Sequence, residues 1–184
     1  MNQSLEQHTE RRGKIEQFLL RKQYLEEENP EKRERKLISI EGKERIIQTV
    51  KSQHKKVCRS VDILSTMNRW LQFVDCCFEY YMRNLARKVH YRILVSETKS
   101  KTVLPDEVKR VLSDSNFELK VTRIHLVNNL AIFDGEEATF NFFPSKSLKE
   151  SPIIWTNHPS FIAMAQDHFD KIWKSTRKHI LKNT

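Results

Sequence analysis

The stretch Leu130-Ala-Ile-Phe-Asp-Gly-Glu-Glu-Ala-Thr-Phe-Asn-Phe-Phe143, followed by Trp155-Thr-Asn-His-Pro159 and the segment Phe161 to Trp173, decides the fold. Two apolar runs meet at Asp134-Gly135, and glycine takes the positive φ that tight hairpin turns demand. The first run is therefore a β-hairpin. A loop over 155–159 then delivers the chain to an amphipathic helix ending Phe169-Asp-Lys-Ile-Trp173. Nothing in this stretch has the pattern of a nucleophile or a metal cage, and its residues are those of a scaffold.

Working outward, Leu37-Ile-Ser-Ile40 reads as a short strand, and Glu41-Gly42 turns the chain into a helix over about Lys43 to Val57. Its spacing turns Ile46, Ile47, Val50 and Val57 inward and Arg45, Lys51, Lys55, Lys56 and Arg59 outward. Val61 to Thr66 is a strand. The next helix, about Asn68 to Arg87, carries Trp70, Val74, Cys77, Phe78, Tyr81 and Leu85 at helical spacing, with Phe73, Cys76 and Tyr80 widening the stripe. Val89 to Val95 is a strand, Pro105 to Leu112 a short helix with proline near its first turn, and Phe117 to His125 alternates with period two as a half-exposed strand does. The order β-α-β-α-β-α-β-β-β-α predicts an α/β domain: helices between strands imply parallel neighbours, and the late hairpin adds an antiparallel portion. The sheet is mixed and flanked by helices.

Residues 4–28 read as a helix of mixed charge with a thin apolar stripe at Ile15, Phe18 and Leu19. Pro30 and the charged connector Glu31-Lys-Arg-Glu-Arg-Lys36 end it. The chain thus divides into a helical arm, 1–36, and an α/β domain, 37–184. An arm with so little to bury pairs with a copy of itself or packs back on the body.

Bulk composition narrows the classes. The net charge is +9. Residues 1–36 hold nine Lys/Arg against eight Asp/Glu, so the other 24 basic and 16 acidic residues carry almost the whole excess. A basic body attracts nucleic acid, acidic lipid or anionic ligands, without choosing among them. Three cysteines, Cys58, Cys76 and Cys77, form no disulfide framework and fit a reducing cytoplasm. No apolar run approaches a membrane span, and the polar N-terminus is not a signal peptide.

Most catalytic signatures are missing. Gly13, Gly42 and Gly135 are far apart, which excludes the clustered glycines of a Rossmann fingerprint or a Walker loop. There is no Cys-x-x-Cys, the seven histidines are scattered, and the ten-residue separation of His158 and His168 does not place them on one ligating face, so they read as surface histidines. Cys76 and Cys77 point about 100° apart on a helix, so they read as core-flank residues and not as a redox pair. The near miss is His54-Lys-Lys56 with Asp62. Phospholipase D enzymes use His-x-Lys-x4-Asp, with histidine as covalent nucleophile and lysine on the phosphate. Here Asp62 is one residue late and His54 and Lys56 fall on a helix. The reading is no catalytic residue, no metal and no cofactor.

From Ile38 onward the pattern resembles the effector-binding domain of TrmB-type archaeal transcriptional regulators. The residues that carry it are Ile40-Glu-Gly-Lys-Glu-Arg-Ile46, the junction Asn84-Leu-Ala-Arg-Lys-Val-His-Tyr-Arg-Ile-Leu-Val95, Ala131-Ile-Phe-Asp-Gly135 and Phe169-Asp-Lys-Ile-Trp173. The resemblance covers roughly 145 residues. It implies a phospholipase D-like α/β fold without catalysis that serves as a ligand sensor, a linking and dimerising helix at 1–36, and a winged helix for DNA outside this chain or on a partner. In that family sugars are among the ligands. Lys88 departs from the pattern, since glycine often precedes valine at that junction.

Parallel sheets bind ligands beyond the carboxyl ends of their strands. Ser65, Asn68, Ser96 and Glu97 lie at those ends, with hydroxyl, amide and carboxylate groups that suit a sugar or other polyol. Asp134 and Gly135 are added from the resemblance as a candidate edge of the same pocket. The plainer reading of each is a hairpin turn or a helix cap. Two other classes stay open: a phosphodiesterase or nuclease on the same fold, and direct nucleic-acid binding by Lys51, Lys55, Lys56 and Arg59.

Overall fold

A computed structural model describes residues 34–96, 104–144 and 146–176. The expected helix at 4–28 lies outside these residues, as does Glu97. Among the described residues, seven strands form one mixed sheet: β1 (Leu37–Ile40), β2 (Ser60–Thr66), β3 (His90–Ser96), β4 (Phe117–Thr122), β5 (Asn129–Phe133), β6 (Glu137–Asn141) and β7 (Ile153–Thr156). Four helices accompany them: α1 (Lys43–Lys56), α2 (Met67–Ala86), α3 (Asp106–Val111) and α4 (Pro159–Ser175). The strand order is β1-β7-β6-β5-β2-β3-β4. β2, β3 and β4 are parallel, while the pairs β1–β7, β7–β6, β6–β5 and β5–β2 are antiparallel.

The α/β reading and the mixed sheet match the structure. Two expectations need correction. The segment read as a loop at 155–159 begins inside β7, whose Ile153-Ile-Trp-Thr156 is apolar and β-branched enough to form a strand but only four residues long. β1 is also no neighbour of β2. It crosses to the far edge and pairs with β7, leaving α1 to span the antiparallel half.

Helices cover both faces, which explains why β2 and β3 are buried along nearly their whole length. On one face, Val61, Ile63, Tyr91, Ile93, Leu119 and Phe133 meet Trp70, Val74, Cys77 and Tyr81 of α2. On the other, Leu64, Leu94, Leu130 and Ile132 meet Ile162, Ala165, Phe169 and Trp173 of α4. The alternation of strand side chains between faces sorts the two cores.

The hairpin is held by more than its turn. Asp134 and Gly135 sit at φ +54° and +69°, as a twisted hairpin requires. The Asp134 carboxylate accepts the backbone N–H groups of Cys58 (2.8 Å), Arg59 (2.7 Å) and Ser60 (2.9 Å), and Arg59 also donates to the Asp134 carbonyl. One side chain therefore closes the start of β2 onto the end of β5. At the other end of α2, Lys88 stands at φ +65°. Its N–H donates to the Leu85 carbonyl and that of Val89 to the Asn84 carbonyl, the Schellman pattern that favours glycine.

Two substitutions test these local accounts by urea denaturation. Asp134→Ala removes three charge-assisted bonds and is expected to cost about 2 kcal/mol or more; an unchanged midpoint would refute the clamp. Lys88→Gly relieves a left-handed residue and is expected to stabilise by about 0.5–1 kcal/mol, the strain removed minus glycine's entropy.

Candidate functional site

The carboxyl ends of β2 and β3 and the start of β5 meet at one end of the sheet. On the face covered by α1 and α2, the alternation places Ser65 of β2, Asn129 of β5, and Thr139 and Asn141 of β6 side by side, with Asn129 and Asn141 paired in register. All four are buried. The Asn129 carbonyl oxygen accepts from the Ser65 hydroxyl (3.2 Å) and the Thr66 N–H (2.9 Å), while its amide donates to Asn141 (3.4 Å). The Asn141 amide donates in turn to Ser151 and to the Pro152 carbonyl. Each amide thus fills its partners along a polar row inside an apolar sheet.

Above this row Arg69 projects from the first turns of α2. It is 4 % exposed. One guanidinium nitrogen donates to the Lys146 carbonyl, and Nη1 is buried without a partner among the described residues. Burial alone lowers its pKa from the usual arginine value. Together with Ser65, Asn129 and Asn141 it lines one part of a cavity of about 60 Å³, which His54, Tyr81 and Phe133 also line. That volume admits a few waters at about 10–15 Å³ each. It is well short of the roughly 300 Å³ at which drug-sized ligand pockets begin.

The sequence-selected residues do not converge. Ser65 lines the cavity, Asn68 is exposed on the first turn of α2, and Ser96 is half-buried at the end of β3. Asp134 and Gly135 lie at the opposite end of the sheet: Asp134 binds the start of β2, while Asn129 binds its finish. At about 3.3 Å per residue, six residues of β2 separate the ends by roughly 20 Å. A single pocket containing both groups is excluded by that geometry, and the Asp134 carboxylate is occupied by backbone N–H groups. Thr66 caps α2, accepting from the Arg69 N–H.

Arg69, Asn129 and Asn141 were missed. A signal for Arg69 existed: it stands four residues before Phe73 and eight before Cys77, inside the buried stripe and not across from it. Asn129 alternates in phase with Ala131 and Phe133, so its inward direction was also readable.

The near-miss triad dissolves. His54 is buried among Tyr81, Tyr91 and Phe133, and Lys56 is exposed on the last turn of α1. Asp62 faces the other side of the sheet, where Arg92 grips it through two nitrogens and Gln166 donates at 2.8 Å. The Tyr91 hydroxyl accepts from Asn84 (2.9 Å) and lies 3.2 Å from His54 Nδ1. Burial pushes the His54 pKa down to about 3.

The two cysteines also differ from expectation. Their sulfurs approach to 3.5 Å although adjacent helical side chains diverge. Bonding to Cys77 lowers the Cys76 thiol to about 7 and raises that of Cys77. Among the described residues no group of three or more acidic, histidine or cysteine side chains is placed to hold a metal. None of the described helices is long and apolar enough to cross a membrane.

No family model matches the sequence, and neither does any curated protein. Solved structures do match. TrmBL2, an archaeal chromatin protein whose structure shows a novel mode of DNA binding, aligns with a TM-score of 0.61 at 14% identity, over 95% of this chain and 66% of its own. Nuc, a phospholipase D family member from Salmonella typhimurium, aligns at 0.56 with 12% identity, over 79% of this chain and 99% of its own. NucT from Helicobacter pylori aligns at 0.55 with 13% identity over the same shares. The fold is phospholipase D-like. This chain spans about two thirds of the length of TrmBL2.

A neutral buried His54 makes stability depend on pH with a definite sign. Its folded pKa lies below the usual 6.5, so the unfolded chain binds the extra proton between pH 6.5 and about 3. The contribution is complete above that window and falls by about 1.4 kcal/mol per pH unit on acidification through it. Urea midpoints of the wild type and His54→Gln between pH 7 and 5 check this; equal slopes would refute it.

Proposed function

We propose that this chain is a non-enzymatic, ligand-responsive and dimerising domain of a DNA-associated regulator. The observation that carries the reading is the scattering of the near-miss set: His54 is neutral and enclosed by aromatic rings, Lys56 is exposed on the last turn of α1, and Asp62 faces the other side of the sheet in the grip of Arg92. The likeness to a DNA-binding chromatin protein over 95% of the chain supports the association with DNA.

In this reading a small molecule binds beyond the carboxyl ends of β2 and β3, on the side of the exposed Asn68. A sugar or polyol is larger than the cavity that Ser65 lines, so it occupies the open surface beyond these strand ends. Such a ligand shifts a dimer only through unequal affinity for two arrangements. Residues 1–36 join the copies, and a winged helix outside this chain or on a partner meets the DNA.

The test combines catalysis, association and DNA binding on the full chain. Incubation with bis(p-nitrophenyl) phosphate and with single- and double-stranded DNA is expected to give no cleavage. Sedimentation at tens of micromolar is expected to give a dimer. Cleavage that survives further purification would overturn the non-enzymatic reading, and a monomer would remove the dimerising part. Tight binding of DNA by this chain alone, falling steeply with salt, would transfer the DNA contact from a winged helix to the basic body.

A further inference from the structure

We propose that the cavity at Arg69 is a binding site for a small oxyanion, of carboxylate or phosphate size. The inference deepens the sensor reading and rests on it, because the anion is held and not turned over. Arg69 is a buried cation whose Nη1 has no partner among the described residues. Its other terminal nitrogen is fixed by the Lys146 carbonyl, a neutral acceptor that leaves the charge uncompensated.

The surroundings sharpen the case. None of the side chains lining the cavity is acidic, and no ion pair to Arg69 exists among the described residues. His54, which shares the cavity, is neutral. A buried guanidinium without a counter-charge is strongly unfavourable, and arginine does not escape by losing its proton near neutral pH. The contrast with Arg92 within the same sheet is direct: that arginine is met by both Asp62 and Asp170.

The neighbouring groups suit an oxyanion. The Ser65, Asn129 and Asn141 side chains line the same space, and the Asn129 amide, which gives one N–H to Asn141, has a second to offer. The volume of about 60 Å³ accepts a small ion or the terminal group of a larger molecule, but not a sugar ring. The Arg69 Nη1 offers the charge-assisted N–H donors that carboxylates and phosphates accept.

Thermal unfolding of the full chain in potassium phosphate, potassium acetate and potassium chloride at matched ionic strength tests the site. Expected is a saturable rise in Tm with phosphate or acetate over chloride, and at least a tenfold weaker apparent affinity in Arg69→Met. Asn129→Asp keeps the arginine, sets a carboxylate in the same cavity, and is expected to lose the response equally; it decides the matter if Arg69→Met does not fold. A response to acetate alone assigns a carboxylate, and to phosphate alone a tetrahedral ion. No saturable rise, or a rise unchanged in Asn129→Asp, would overturn the inference. Bis(p-nitrophenyl) phosphate turnover is read in the same samples: its absence together with no anion response removes this site and leaves the proposed function standing, whereas turnover removes both.

Discussion

The seam between β2 and β5 is the constraint on which the rest of the structure depends. There a parallel half, β2-β3-β4, meets an antiparallel half, β5-β6-β7-β1, and the two halves come from separate stretches of chain. Four residue pairs align across it, and a carboxylate and an amide close its ends. Asp134 gathers three backbone donors at the start of β2, and Asn129 takes the Ser65 hydroxyl and Thr66 N–H at its finish. Polar side chains thus take up backbone N–H groups at both ends of the ladder.

The two faces of the seam then acquire different chemistry. On the α4 face, Asp62, Arg92, Asp170 and Gln166 form a compensated cluster with Arg92 stacked over Phe169 at 4.9 Å. One guanidinium there faces two carboxylates, so the arginine's charge is met in full, and the arrangement specifies how α4 docks while adding little net stability. On the α1–α2 face the row Ser65, Asn129, Asn141 is neutral and Arg69 above it has no balancing acid. One arginine completes a structural network and the other leaves a charge open to a ligand. Burial, which is common to both, does not make that distinction; the presence of a facing carboxylate does.

Much of this architecture was legible from local pattern. The Asp134-Gly135 turn, the stripe from Trp70 to Leu85 and the alternation in β4 and β5 each follow from neighbours one turn or two residues away. β7 was not, because four residues between turns carry too short a period to distinguish from loop. The remote placement of β1 was not, because pairing with β7 joins residues more than a hundred positions apart. His54 looked like half of a catalytic motif, and only the packing of Tyr81, Tyr91 and Phe133 around it reveals a neutral core residue.

By itself the sequence determined the α/β class, the helical faces, the hairpin and the lack of an intact His-x-Lys-x4-Asp set, since these depend on residue type and short-range periodicity. Tertiary structure alone decided which polar residues share a site. It separated Asp134 from Ser65 by the length of a strand and brought Asn129, Asn141 and Arg69 together. The physical reason is that strand direction and face are set by pairing between distant segments, so residues with the same chemistry are carried to opposite ends of one sheet or into one cavity according to that pairing.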